Sequence, residues 1–192
     1  MWLTTSKNAP ADLKKQARAL ADALPGVEFV PRGERSLERL EILAQRKGEK
    51  ALCVMMVFDE GDKRGVKAGK TKKPDNLLTI RSRHLQKDEE GASRWAWSKS
   101  ALEVGKLVVK NQKSLGTLGD DPYIFSANGD GKKLAEFLGL ENHPLVEFTD
   151  EPAMIALEAR KSKTAAKVGA KSLFIASFGA EHLLELEYIW VD

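Results

Sequence analysis

The chain has 192 residues, 42% of them hydrophobic and 31% charged, with a formal net charge of +3. That length suits one domain of ordinary size or two small halves sharing a core, and the apolar fraction excludes disorder over most of it. A single cysteine, Cys53, excludes an intrachain disulfide and a multi-cysteine zinc site, and without an apolar run of about 18 residues there is no membrane-spanning helix.

Trp2 to Thr5 reads as a strand ahead of a polar turn at Ser6-Lys7-Asn8. The N-terminus lacks the basic and apolar regions of a secretory signal, which points to the cytoplasm. Pro10 suits the first turn of a helix, where its missing N–H would have no partner. Leu13, Ala17, Leu20, Ala21 and Leu24 recur at helical spacing until Pro25-Gly26 stops the pattern. Val27–Val30 is a short strand. Ser36 then caps a second helix with Leu37, Leu40, Leu43 and Ala44 inside and Gly48 at its end. This β-α-β-α alternation packs helices on a sheet. Ala51–Asp59 is too apolar for an edge and is expected centrally.

Gly61–Lys73 follows neither period and reads as a mobile loop leading to a strand at Asn76–Ser82. Gln86 to Ser100 is a polar stretch holding Trp95 and Trp97, and Val104–Lys110 is a further strand. Past a turn-rich segment with Asp120-Asp121-Pro122, Tyr123–Ala127 is a strand and Asp130 can cap a helix over Gly131–Leu138. Pro144 and Val146–Thr149 give the next strand. Met154–Arg160 suits a helix or a strand, and the sequence leaves both open. Leu173–Phe178 and Leu183–Val191 close the chain as paired strands turned at Gly179-Ala180.

Three segments recur in order. Leu3-Thr4-Thr5-Ser6 is echoed by Ile124-Phe125-Ser126-Ala127, and the Val27–Val30 strand by Val146–Thr149 after Pro144. Arg46–Val54 is echoed by Lys167–Ile175. The order predicts an α/β fold of two structurally related β-α-β halves with mixed sheets, over approximately residues 1–110 and 111–192 of a single domain.

Leu3-Thr4-Thr5-Ser6-Lys7, the helix after it, Leu24-Pro25-Gly26, and Arg32-Gly33 before a Leu-rich helix together resemble the Brix domain, in its short archaeal, single-domain form. The similarity is clearest from Leu3 to Ser82. It implies a duplicated fold like that of anticodon-binding α/β domains, and a non-enzymatic role in ribosome assembly through ribosomal RNA. Larger relatives carry a Gly-Pro-Arg element before the last strand. Here that place reads Phe178-Gly179-Ala180-Glu181-His182, so no RNA contact is carried over from that arginine.

Charge is segregated along the chain. Lys63, Arg64, Lys67, Lys70, Lys72 and Lys73 face only Asp62 within the Gly61–Lys73 loop, a composition that attracts phosphate without reading bases. Arg160–Lys171 is basic, whereas Leu173 onward carries only acids. Arg32 and Arg35 flank a turn into a helix N-terminus, where an anion is favoured. The other reading pairs Arg32 with Glu34 or Glu38. Trp95 and Trp97, two apart, face one side of an extended segment and suit packing over a sheet more than base stacking. The acids at Asp59-Glu60-Asp62 and Asp120-Asp121 sit in turn-like sequence without a base at catalytic spacing, so no catalytic residue, metal or cofactor is expected.

The sequence thus predicts an RNA-binding ribosome biogenesis factor acting in rRNA processing and subunit assembly. Its partners are ribosomal RNA or a pre-ribosomal particle, and a protein assembly partner beside them. Arg32, Arg35, Lys63, Arg64, Lys67, Lys70, Lys72 and Lys73 would make the phosphate contacts. The alternatives are a tRNA- or other RNA-binding module of anticodon-binding type, and a protein scaffold that docks along the acidic Leu183–Asp192 strand.

Overall fold

The computed structural model describes residues 1–24, 26–58, 77–109, 123–126, 130–144, 153–158, 171–176 and 184–191. In chain order the elements are β1 (Trp2–Thr5), α1 (Ala11–Ala23), β2 (Glu28–Phe29), α2 (Leu37–Arg46), β3 (Ala51–Phe58), β4 (Leu77–Lys87) and β5 (Ser93–Val109). Then come β6 (Tyr123–Ser126), α3 (Asp130–Leu138), β7 (Glu141–Pro144), β8 (Ala153–Glu158), β9 (Lys171–Ala176) and β10 (Leu184–Val191). All strands join one 10-stranded sheet in the order β2-β1-β3-β4-β5-β10-β9-β8-β6-β7.

That order mirrors itself about the β5–β10 pair. β1 lies parallel to β2 and β3, as β6 does to β7 and β8. Antiparallel hairpin pairings then carry β3 to β4 to β5, and β8 to β9 to β10. The two related halves expected from sequence are therefore joined edge to edge by β5 against β10, antiparallel.

Side-chain alternation in the strands gives the sheet two apolar faces. Leu3, Cys53, Met55, Ile80, Leu102, Val104, Ile124, Leu186 and Tyr188 line one face, which α1 covers with Leu13, Ala17, Leu20 and Ala21, and α3 with Leu134, Ala135, Phe137 and Leu138. Burying Leu13 and Leu20 stabilises the fold by roughly 2 kcal/mol each. Trp2 and Leu52 point the other way, onto Leu40 and Ala44 of α2. Ser36 caps α2 as expected, its side chain accepting from the Arg39 N–H at 3.2 Å. Gly131 is required in α3 because a Cβ there would overlap the Ser126 side chain on β6.

Several expectations change. β2 is confined to Glu28–Phe29, narrower than Val27–Val30. The segment over 86–100 is no isolated polar stretch: β4 runs to Lys87, and β5 continues unbroken from Ser93 to Val109. Of the open alternative at 154–160, the described residues are strand, β8 over Ala153–Glu158, and residues 159–160 lie outside the described set. The counterpart of β3 is β8, so the expected echo at Lys167–Ile175 falls one strand late, where β9 answers β4. The parallel edge strand of the second half is Glu141–Pro144, ahead of the expected Val146–Thr149, and residues 145–150 lie outside the described set. Finally, β10 is not an edge strand: β5 pairs with it along Leu184–Val191 on one side and β9 along Leu184–Tyr188 on the other. Its acids are polar positions within a central strand.

Candidate nucleic-acid interface

The most informative surface lies on the β4–β5 hairpin. Its turn is locally determined. Asp88 accepts with Oδ1 from the Glu90 N–H at 3.1 Å and the Ala92 N–H at 2.7 Å, and Gly91 takes φ 81°, a conformation that other residues adopt at a cost. Arg94 Nε sits 2.8 Å from Asp88 Oδ2 across the hairpin. The pairing then slips: Arg83 stands opposite Trp97 but Arg81 opposite Ala101. This irregularity admits extra residues on β5, and bulges of this kind re-aim side chains. Arg81 and Arg83 both come over Trp97, their guanidinium carbons 4.7 Å and 4.9 Å from its ring centroid. Trp97 remains 36% exposed.

Arg83 is held more firmly than Arg81. Its Nε lies 2.9 Å from Glu41 Oε1 on α2, with side chains only 18% and 9% exposed, and its Nη2 donates to the Trp95 carbonyl at 2.7 Å. The Nε–Oε1 contact is close but poorly aligned, so it is ionic rather than a well-directed hydrogen bond. Burial pushes the Glu41 carboxyl above its ordinary range, with Glu38 adding to the rise and Arg83 opposing it. Trp95 packs against the α2 cluster, as expected for packing over a sheet, whereas Trp97 stays open beside two cations. Cation–π contacts of this geometry orient guanidinium groups; Arg83 directs its donors to Glu41 and Trp95, and Arg81 is the one that a ligand can meet.

Arg32 and Arg35 lie elsewhere, on the turn between β2 and α2. Arg32 Nε donates to the Arg35 carbonyl at 3.2 Å and Arg35 Nη1 to the Pro31 carbonyl at 3.0 Å. Glu34 is met by Lys7 at 3.6 Å instead. The alternative pairing of Arg32 with Glu34 or Glu38 is absent among the described residues, and the guanidinium groups brace the turn.

No family model and no curated protein matches the sequence. Solved structures do. A probable ribosomal biogenesis protein from Aeropyrum pernix K1 superposes with a TM-score of 0.64 at 15% identity, covering 97% of this chain and 93% of that one. Mil, an archaeal Imp4-like protein, does so with a TM-score of 0.60 at 16% identity, covering 100% and 98%. The fold is Imp4-like. It is also the fold that the Brix resemblance implies.

Within this Imp4-like fold the candidate residues do not converge on one point. The Arg32–Arg35 turn follows β2 at one border of the sheet, whereas Trp97 sits on β5 beside the central β5–β10 seam. The chain leaves β3 at Phe58, at the end toward which β1 and β2 also run. Lys63, Arg64, Lys67, Lys70, Lys72 and Lys73 follow and lie outside the described residues, as do Asp59, Asp120 and most of Arg160–Lys171. Among the described residues no cluster of His, Cys, Asp and Glu could hold a metal ion, and no helix is long and apolar enough to cross a membrane.

Sequence reasoning missed Arg81 and Arg83. The alternation Leu78-Thr79-Ile80-Arg81-Ser82-Arg83 marked them as the polar side of a strand. What it could not show is the slipped register that brings both onto Trp97.

Proposed function

We propose that the chain is a non-catalytic factor that binds ribosomal RNA, or a pre-ribosomal particle, during rRNA processing and ribosomal subunit assembly in the cytoplasm. The supporting observation is the Imp4-like fold, shared along nearly the full length of both chains with a protein described as acting in ribosomal biogenesis. The surface chemistry agrees with that reading. Arg81 offers a charged donor beside an exposed indole, a combination suited to phosphate and to an unstacked base. Arg32 and Arg35, with Lys63, Arg64, Lys67, Lys70, Lys72 and Lys73, extend the contact as phosphate ligands that position the RNA. A protein partner within the particle belongs to the same proposal.

Crosslinking in cells followed by sequencing of the bound RNA tests it. Enrichment of ribosomal RNA over tRNA is the expected result. Recovery of tRNA instead would favour a module of anticodon-binding type, and recovery of no RNA would overturn the proposal.

A further inference from the structure

We infer that the cleft between α3 and the β4–β5 hairpin binds a single unpaired nucleotide; the inference rests on the RNA-binding reading above and specifies its ligand. The cleft has a volume of about 480 Å³ and lies where the two halves meet, with β4 and β5 contributed by one half and α3 and β10 by the other. That volume falls within the range of small-molecule pockets. It is large enough for one nucleotide.

The lining has the two chemistries that a nucleotide needs. Trp190 supplies aromatic surface for a base. Lys99 and Lys133 supply cations for phosphate, opposed among the lining residues by Glu136 alone. Lys133 Nζ stands 4.4 Å from the Trp190 ring centroid, so a cation and an aromatic face already share one wall. His84 lines the same space with Nε2 3.0 Å from Ser82 Oγ, and burial lowers its pKa, so it adds a hydrogen-bonding edge without charge at neutral pH.

Trp97 belongs both to this cleft and to the contact with Arg81 and Arg83. Arg81 and Arg83 themselves lie on the opposite face of the sheet, where Arg83 meets Glu41 of α2. Only single-stranded RNA, whose bases splay out, can use such a site. A duplex presents phosphates and 2′-hydroxyls and keeps its bases paired.

The test uses the full chain and a short oligouridylate carrying one 5-iodouridine, alone or annealed to its complement. Irradiation is expected to crosslink the single strand to residues of α3, β10 or 97–100, and the duplex much less. Lys99→Ala with Lys133→Ala, both exposed positions, should weaken single-strand binding about tenfold and reduce its log–log salt slope by about 1.4, since each single-strand phosphate contact contributes about 0.7. Trp190→Phe keeps an aromatic ring in the wall and should retain the crosslink. Tight RNA binding with crosslinks confined to the Arg32–Arg35 turn or to residues 59–76 would overturn the cleft and leave the RNA-binding reading intact. Failure to bind any RNA, single-stranded or duplex, would overturn both.

Discussion

Arg83 of β4 meets Glu41 of α2 at 2.9 Å, with both side chains largely buried beneath the helix. Arg83 also donates to the Trp95 carbonyl and lies against Trp97, so one guanidinium ties α2, the β4–β5 hairpin and the exposed indole together. The contact surface is thereby coupled to the packing of the first half.

Arg83→Met should cost about 1–3 kcal/mol at neutral pH, because the Glu41 carboxylate loses its counter-charge while still buried. The penalty should shrink in acid. Glu41's folded pKa is raised, chiefly by burial, so its contribution favours folding below its ordinary value and is lost as pH rises through the raised one. Removing Arg83 raises that pKa further and enlarges the loss at neutral pH. Denaturant titrations of parent and variant at acid and neutral pH check this, and a penalty identical at both would contradict it.

Trp97→Ala should lower stability without unfolding the chain, since the ring is only 36% exposed and packs against Arg81 and Arg83. Affinity for single-stranded RNA should fall by the worth of one stacked base, about 1–3 kcal/mol. Trp97→Phe should recover part of the loss. Fluorescence anisotropy with a labelled oligonucleotide, paired with a thermal melt, separates binding from stability.

Changing Lys70, Lys72 and Lys73 together to alanine should weaken binding to many RNAs alike and flatten the log–log salt slope by about 2 to 3. The melting temperature should hardly move if these lysines contribute only surface charge. Were affinity and slope both unchanged, the phosphate contacts would be assigned to Arg81, Arg32 and Arg35.

Cys53 should resist alkylation in the native protein. Its thiol is buried on β3, and burial pushes its pKa up to about 12, so almost no thiolate exists near neutral pH. Because the folded pKa is raised, Cys53 leaves stability unchanged at neutral pH and lowers it only as pH climbs past the ordinary thiol value. Labelling with a thiol reagent along a denaturant series should track unfolding, and rapid labelling without denaturant would contradict the burial.

Much of the first half was legible in the sequence. The α1 face of Leu13, Ala17, Leu20 and Ala21, the Ser36 cap and the apolar β3 each rest on local rules, namely helical period, a side-chain oxygen at an N-cap and a continuous apolar run. The Ile124-Phe125-Ser126 echo of Leu3-Thr4-Thr5 was also legible, because both lie in the first parallel strand of a half. The cations at 63–73 were legible as composition alone.

The tertiary structure decided the rest, because pairing partners distant in sequence leave no local signal. The segment over 154–160 was open between helix and strand, and pairing with β6 and β9 selected strand for its described residues, 154–158. The acidic β10 looked like an edge, yet its alternating Leu186 and Tyr188 reach the shared core only because β5 and β9 flank it. Arg81, Arg83 and Trp97 were visible as residue types, but a register slip between two long strands placed them together. Sequence periodicity determines which face of an element is apolar; only long-range hydrogen-bond register determines which polar residues on the opposite face become neighbours.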